Sequence, residues 1–115
     1  MLSKNRRLVK AFFKDPGRRM GSFSSPLFSA TAYAPARSMI NRCAVVVSKK
    51  TEKTAVARNH LRRRLYAVLA EMLPQNPDTG LRIVFYPTHT LSTAPITEVR
   101  VAVRDALRKF STVQQ

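Results

Sequence analysis

"RCAVVVSKKTEKTAVARNHLRRRLYAVLAEM", residues 42–72, holds two structural periods side by side. Its first seven residues, Arg42 to Ser48, form a β-branched apolar run that reads as a central strand. From Thr51, a candidate cap, the pattern changes. Ala57, Leu61, Leu65, Val68 and Met72 recur at helical spacing, widened by Leu69, which predicts a core-facing helix running to about Met72. A buried strand feeding a long amphipathic helix points to an α/β domain. Between Lys49 and Arg64 the junction also carries seven Lys or Arg and one acid, Glu52.

Downstream, the segment 74–80 has the Pro, Asn and Gly content of a loop. Leu81 to Tyr86 reads as a strand stopped at Pro87. Thr93-Ala94-Pro95 starts a last helix, with Glu98 near its positive dipole end. Its apolar stripe is Ile96, Val99, Val103, Leu107 and Phe110. Upstream, Leu8, Val9, Phe12 and Phe13 suit a short amphipathic helix over 3–14, capped by Ser3 and ended by Asp15-Pro16-Gly17. Residues 17–21 read as a basic flexible loop, 22–34 as one weak strand, and 35–41 as a polar turn. Ser25-Pro26 argues for an edge position or a late start in that weak strand. The expected order is α-β-β-α-β-α in one domain over 1–115. Its economical packing is an α/β (α+β) two-layer sandwich, a small mixed sheet with helices on one face.

Charge narrows the partners. The chain has 21 basic residues against 6 acids, a formal net charge of +15 over 115 residues. Such self-repulsion is retained where a polyanion compensates it. Fourteen of the bases are Arg, whose planar fork of donors suits phosphate and base stacking. Nucleic acid leads, ahead of a membrane surface and an acidic protein. Cys43 is alone, so it reads as a small buried hydrophobe compatible with a reducing cytoplasm. No apolar run approaches the ~18–20 residues that span a bilayer. The Arg- and Ser-rich first 38 residues also match a transit peptide in composition, but Phe12, Phe13, Phe23, Phe28 and Tyr33 suit a folded domain better.

With Leu61 set toward the core, a 100° turn per residue sends Asn59, Arg63 and Tyr66 outward. Arg58 and Arg62 fall on one flank, His60 and Arg64 on the other. Lys49, Lys50 and Lys53 gather at the helix start, where free amides meet anions and the helix dipole disfavours cations. A bound anion reconciles that conflict. The acids, by contrast, are scattered: Asp15, Glu52, Glu71, Asp78, Glu98 and Asp105. Protein-only phosphodiester hydrolysis draws on clustered carboxylates or a His pair, and neither pattern is present in the sequence. A structural RNA-binding protein of ribosomal type, a protein-only nuclease and a membrane-surface binder remain the competing classes.

The run Arg42-Cys43-Ala44-Val45-Val46-Val47-Ser48-Lys49-Lys50, then Lys53, then Ala55-Val56-Ala57-Arg58-Asn59 and Leu61-Arg62-Arg63, resembles the bacterial ribonuclease P protein subunit family. The resemblance extends over nearly the whole length and is most specific at this strand-helix junction. It implies a left-handed crossover between parallel strands. It also implies a catalytic RNA partner that removes the 5′ leader of precursor tRNA and holds the Mg2+ ions itself. No membrane and no small-molecule cofactor are expected, and the expected compartment is the cytoplasm. By position, Arg58, Asn59, Arg62 and Arg63 would contact the RNA, helped by Lys49, Lys50 and Lys53. His60 stands where the family usually has Arg, and Arg64 adds charge beside it. A leader cleft between the first helix and the sheet would use Phe12 or Phe13, Phe28 and Tyr33, with Lys10 and Arg42.

Overall fold

The computed structural model describes residues 6–8, 10–14, 17–34, 40–75 and 80–113. Among these described residues four strands and three α-helices follow in the order α1 (Lys10–Lys14), β1 (Arg19–Ser24), β2 (Phe28–Tyr33), β3 (Arg42–Val45), α2 (Ala55–Met72), β4 (Arg82–Pro87) and α3 (Ile96–Val113). The sheet order is β1-β2-β4-β3. Strands β1, β2 and β4 pair antiparallel, whereas β3 and β4 run parallel around α2. The expected mixed sheet and α+β class therefore stand, with one strand more than the sequence reading counted.

The extra strand comes from a hairpin. Residues 22–34 are two strands, and Arg19 to Gly21, expected in a loop, belong to the first. Ser25 makes the turn: its Oγ accepts from the amides of Leu27 and Phe28 at 3.2 and 3.3 Å. Ser25-Pro26 thus marks a reversal and not a late strand start.

Strand β3 lies at the sheet edge and not at its centre. Its composition misleads because it is buried on both faces and its outer edge is covered as well. The Leu8 amide donates to the Cys43 carbonyl at 2.9 Å, and the Val45 amide donates to the Tyr66 hydroxyl at 3.1 Å. A hydrophobic edge left bare would invite pairing with another chain, so these two bonds matter beyond their own strength.

Helix α2 starts later than expected. Thr54 is its cap, with its side chain accepting from the Ala57 amide at 3.1 Å. Thr51 instead closes a tight turn, its amide donating to the Ser48 carbonyl at 3.1 Å. Helix α1 is shorter than the predicted 3–14, and Leu8 lies in an extended segment beside β3. The proposed Ser3 cap, the Asp15-Pro16 stop and parts of both predicted turns lie outside the described residues.

The core lies between the sheet and the α2–α3 pair. Phe28 and Phe85 meet edge to face at 5.3 Å and, with Phe110, are fully buried among Leu61, Leu65, Leu69 and Val103. Both long-helix stripes were legible, except that Ile96 is exposed and Ala106 is buried. Helix α1 packs on the other face, where Phe12 meets Tyr33 at 5.2 Å and the Arg82 guanidinium lies 5.2 Å from the Phe12 ring centre. So two helices cover one face, and the third covers only part of the opposite one.

Candidate RNA-binding surface

The basic surface begins at the turn that launches α2. Lys49, Lys50 and Lys53 are exposed around it. Arg58 holds the turn from inside the helix, donating to the carbonyls of Glu52 and Lys53 at 3.0 and 2.9 Å. The Glu52 carboxylate pairs with the His89 imidazole, fastening the same turn to the segment after β4. The three lysines therefore stand on a braced loop rather than a free one. Further along, Asn59, His60 and Arg63 are exposed, and Arg62 donates to Asn59 Oδ1 at 2.7 Å. Each of these side chains is held on the outer side of a helix whose Leu61 and Leu65 are fully buried.

Two positions differ from expectation. Arg64 turns back into the protein, where its guanidinium donates to the carbonyls of Leu91, Ser92 and Ala94 at 2.7, 2.9 and 2.7 Å. Those carbonyls belong to the link into α3, so Arg64 is committed to holding α2 and α3 together. Tyr66, expected to point away, is half-buried, and burial pushes its hydroxyl above the usual tyrosine range. A residue the sequence reading passed over joins the surface: Arg7 lies with Asn59, Arg62, Arg63, Tyr66 and Ala67 around one cavity. The alternating apolar pairs around Arg7 suggested a helix there and hid this placement.

The second surface is the sheet face on which α1 packs, buried at Thr31 and Val84 and exposed at Ser29 and Tyr86. Strand alternation sends Phe28, Ala30 and Ala32 to the core and Ser29, Thr31 and Tyr33 to this face. Phe28 is fully buried on the wrong side of the sheet and cannot line a cleft here. Alternation along 22–34 already sets Phe28, Ala30 and Ala32 opposite Ser29, Thr31 and Tyr33, so grouping Phe28 with Tyr33 in one cleft conflicts with it. Phe12 is buried and packs edge-on against both Phe13 and Tyr33, so it supports the cleft wall rather than presenting a ring. Phe13 is exposed beside it.

Arg42 is half-buried, and the Lys10 side chain lies outside the described residues. Tyr86 is the aromatic that sequence reasoning missed. It is exposed on this face, and its hydroxyl is pushed upward by burial, by Tyr33 nearby and by a hydrogen bond to Tyr33, against the pull of Arg19. Strand parity on β4 would have found it: Arg82, Val84 and Tyr86 alternate with the core residues Ile83 and Phe85.

Burial pushes the Cys43 thiol far up, keeping it protonated. Among the described residues no three His, Cys, Asp or Glu gather as a metal site. No described helix is long and apolar enough to cross a membrane.

A basic helix face and a sheet face with exposed Phe13 and Tyr86 make this a strongly basic α+β domain built on one small mixed sheet. The family model described as Ribonuclease P matches residues 2–111, and the chain belongs to that family. The ribonuclease P protein component of Synechococcus sp. (strain JA-2-3B'a(2-13)) is 31% identical over 106 residues, spanning 92% of this chain and 78% of that protein. The fold is shared with the RNase P protein from Thermotoga maritima (TM-score 0.68, 22% identity, 95% and 96% coverage). It is shared also with the Staphylococcus aureus RNase P protein (TM-score 0.68, 17% identity, 90% and 93% coverage). Family membership assigns the chain to a ribonuclease complex of tRNA 5′ processing.

Proposed function

We propose that this chain binds the catalytic RNA of ribonuclease P through the basic face of α2 and receives the single-stranded 5′ leader of precursor tRNA on the sheet face on which α1 packs. The protein supplies fixed positive charge, while the RNA carries phosphodiester hydrolysis and, with the substrate, holds the Mg2+. The observation that carries this reading is the row of exposed Lys49, Lys50, Lys53, Asn59, His60 and Arg63 on a braced loop and helix. Among the described residues, Glu52 pairs with His89, Glu71 pairs with Arg100 at 3.0 Å, and no three His, Cys, Asp or Glu gather.

Reconstitution tests it. Added to its cognate RNA at limiting Mg2+, the protein is expected to restore cleavage of precursor tRNA, and to cleave nothing when the RNA is left out. Tight RNA binding without restored cleavage would instead favour a purely structural RNA-binding role. Affinity for the RNA is expected to fall steeply with salt, each neutralised phosphate adding roughly 0.7 to 0.9 to the log-log slope. A flat response would remove the electrostatic basis of the reading.

His60 gives a second expectation. Guanidinium carries a permanent charge and a planar fork of donors suited to phosphate. His60→Arg is expected to raise RNA affinity and to steepen its salt dependence by roughly 0.7 to 0.9 in the log-log slope, the share of one phosphate. Unchanged affinity and slope would mean that His60 does not face the RNA.

A further inference from the structure

The cavity between the N-terminal segment and α2 has a volume of about 240 Å³ and is lined by Arg7, Asn59, Arg62, Arg63, Tyr66 and Ala67. Five of these come from one helical face, at positions i, i+3, i+4, i+7 and i+8, and Arg7 reaches it from the strand-like segment bridged to Cys43. Three guanidinium groups around one small space repel each other, and no acid lines it. Their electrostatic influence also reaches the Tyr66 hydroxyl, which Arg7 and Arg62 both act to lower against its burial. Arg7 Nε is buried without a hydrogen-bond partner in the structure, an uncompensated donor that costs stability.

The lining is not uniformly polar. The Tyr66 hydroxyl is committed to the Val45 amide, which fixes its ring as a wall, and Ala67 leaves the opening beside it uncrowded. The space has the volume of roughly eight waters at ~30 Å³ each, far more than a phosphate group fills. An anion alone would satisfy the charges and leave the apolar wall wet. A planar base with its attached phosphate satisfies both, because proteins read RNA most specifically through unstacked bases held against aromatic and Arg planes.

From this geometry we infer that the cavity is a single-nucleotide pocket. It takes one extruded nucleotide of the partner RNA, its base against Tyr66 and Arg7 and its phosphate on Arg62 and Arg63. This rests on the RNA-binding reading above but adds what a basic surface alone does not provide, a fixed register on the RNA. Arg7 is then a binding residue, although it lies far in sequence from the basic helix.

The test fills the pocket without touching charge. Ala67 is exposed on α2, so Ala67→Phe occupies the cavity while leaving the core and every cation in place. Binding of the cognate RNA is measured by titration at several salt concentrations, with chemical probing of base reactivity in each complex. The expected result is affinity weaker by about tenfold or more, an unchanged salt slope, and loss of one base protection present with the wild-type protein. Arg7→Met is expected to lose the same protection. Affinity within about twofold of wild type for Ala67→Phe, or no base protected at the wild-type interface, overturns the pocket and leaves the electrostatic reading intact. Failure of the wild-type protein to bind the RNA overturns both.

Discussion

Phe28→Ala is expected to lower folding stability by about 3 to 5 kcal/mol, the usual cost of truncating a fully buried Phe. Phe28 has no exposed surface, meets Phe85 edge to face and packs beside Phe23 at 5.8 Å. Truncation removes the transfer free energy of the ring and leaves a cavity between sheet and helices that the surrounding Leu and Val side chains fill only partly. In a domain of this size such a loss is a large share of the total. Urea unfolding measures it directly, and the leader affinity of the fraction still folded is expected to match wild type. A stable Phe28→Ala protein with weakened leader binding would place Phe28 on the opposite face of the sheet.

Arg64→Ala is expected to cost about 2 to 4 kcal/mol, since hydrogen bonds from a charged donor are worth roughly 1.5 to 3 each and three such bonds sharing one group do not add fully. Its guanidinium gathers three carbonyls of the segment between β4 and α3, and truncation leaves Leu91 and Ala94, both buried, with unpaired acceptors. Arg63→Ala is the natural contrast. An exposed side chain of that kind changes stability by no more than about 0.5 kcal/mol, so its loss is expected to appear in RNA affinity alone. Thermal unfolding and RNA titration of both variants separate the roles. An Arg64→Ala protein as stable as wild type but poor at binding RNA would return Arg64 to the docking surface.

These two residues also show where the sequence could be read and where it could not. Leu61, Leu65, Val68 and Val103 announced the helices because a helix buried on one side leaves a period that no other structure produces. Of the outward set Asn59, Arg63 and Tyr66, the last turned out half-buried and the first two followed from the same period. Arg64 did not, because helical phase gives a direction but not what stands there, and its partners lie 27 to 30 residues away. Phe28 failed for a different reason. A turn made by one serine hydroxyl left no strong glycine mark, so one strand was seen where two exist. Alternation still set Phe28 opposite Tyr33, and only their shared aromatic character grouped them in one cleft. Strand β3 looked central because burial shapes composition, while sheet position depends on which backbone groups find partners. Arg7 and Tyr86 join the surfaces only after the chain is folded, one through a bridge to β3 and the other through parity on β4.

The place of β4 between β2 and β3 has a consequence for how the protein is made. Its two neighbours precede it in the chain, and each borders the strand that comes last. The hairpin and β3 therefore share no sheet until residue 87 has left the ribosome, a wait of a few seconds at ~5–20 residues per second. During that interval the chain has already exposed the lysines and arginines of α2 without the scaffold that orients them. Nascent α2 is thus a polycation without a fixed shape, and β4, the 91–94 link and α3, all made after it, give its charged face one.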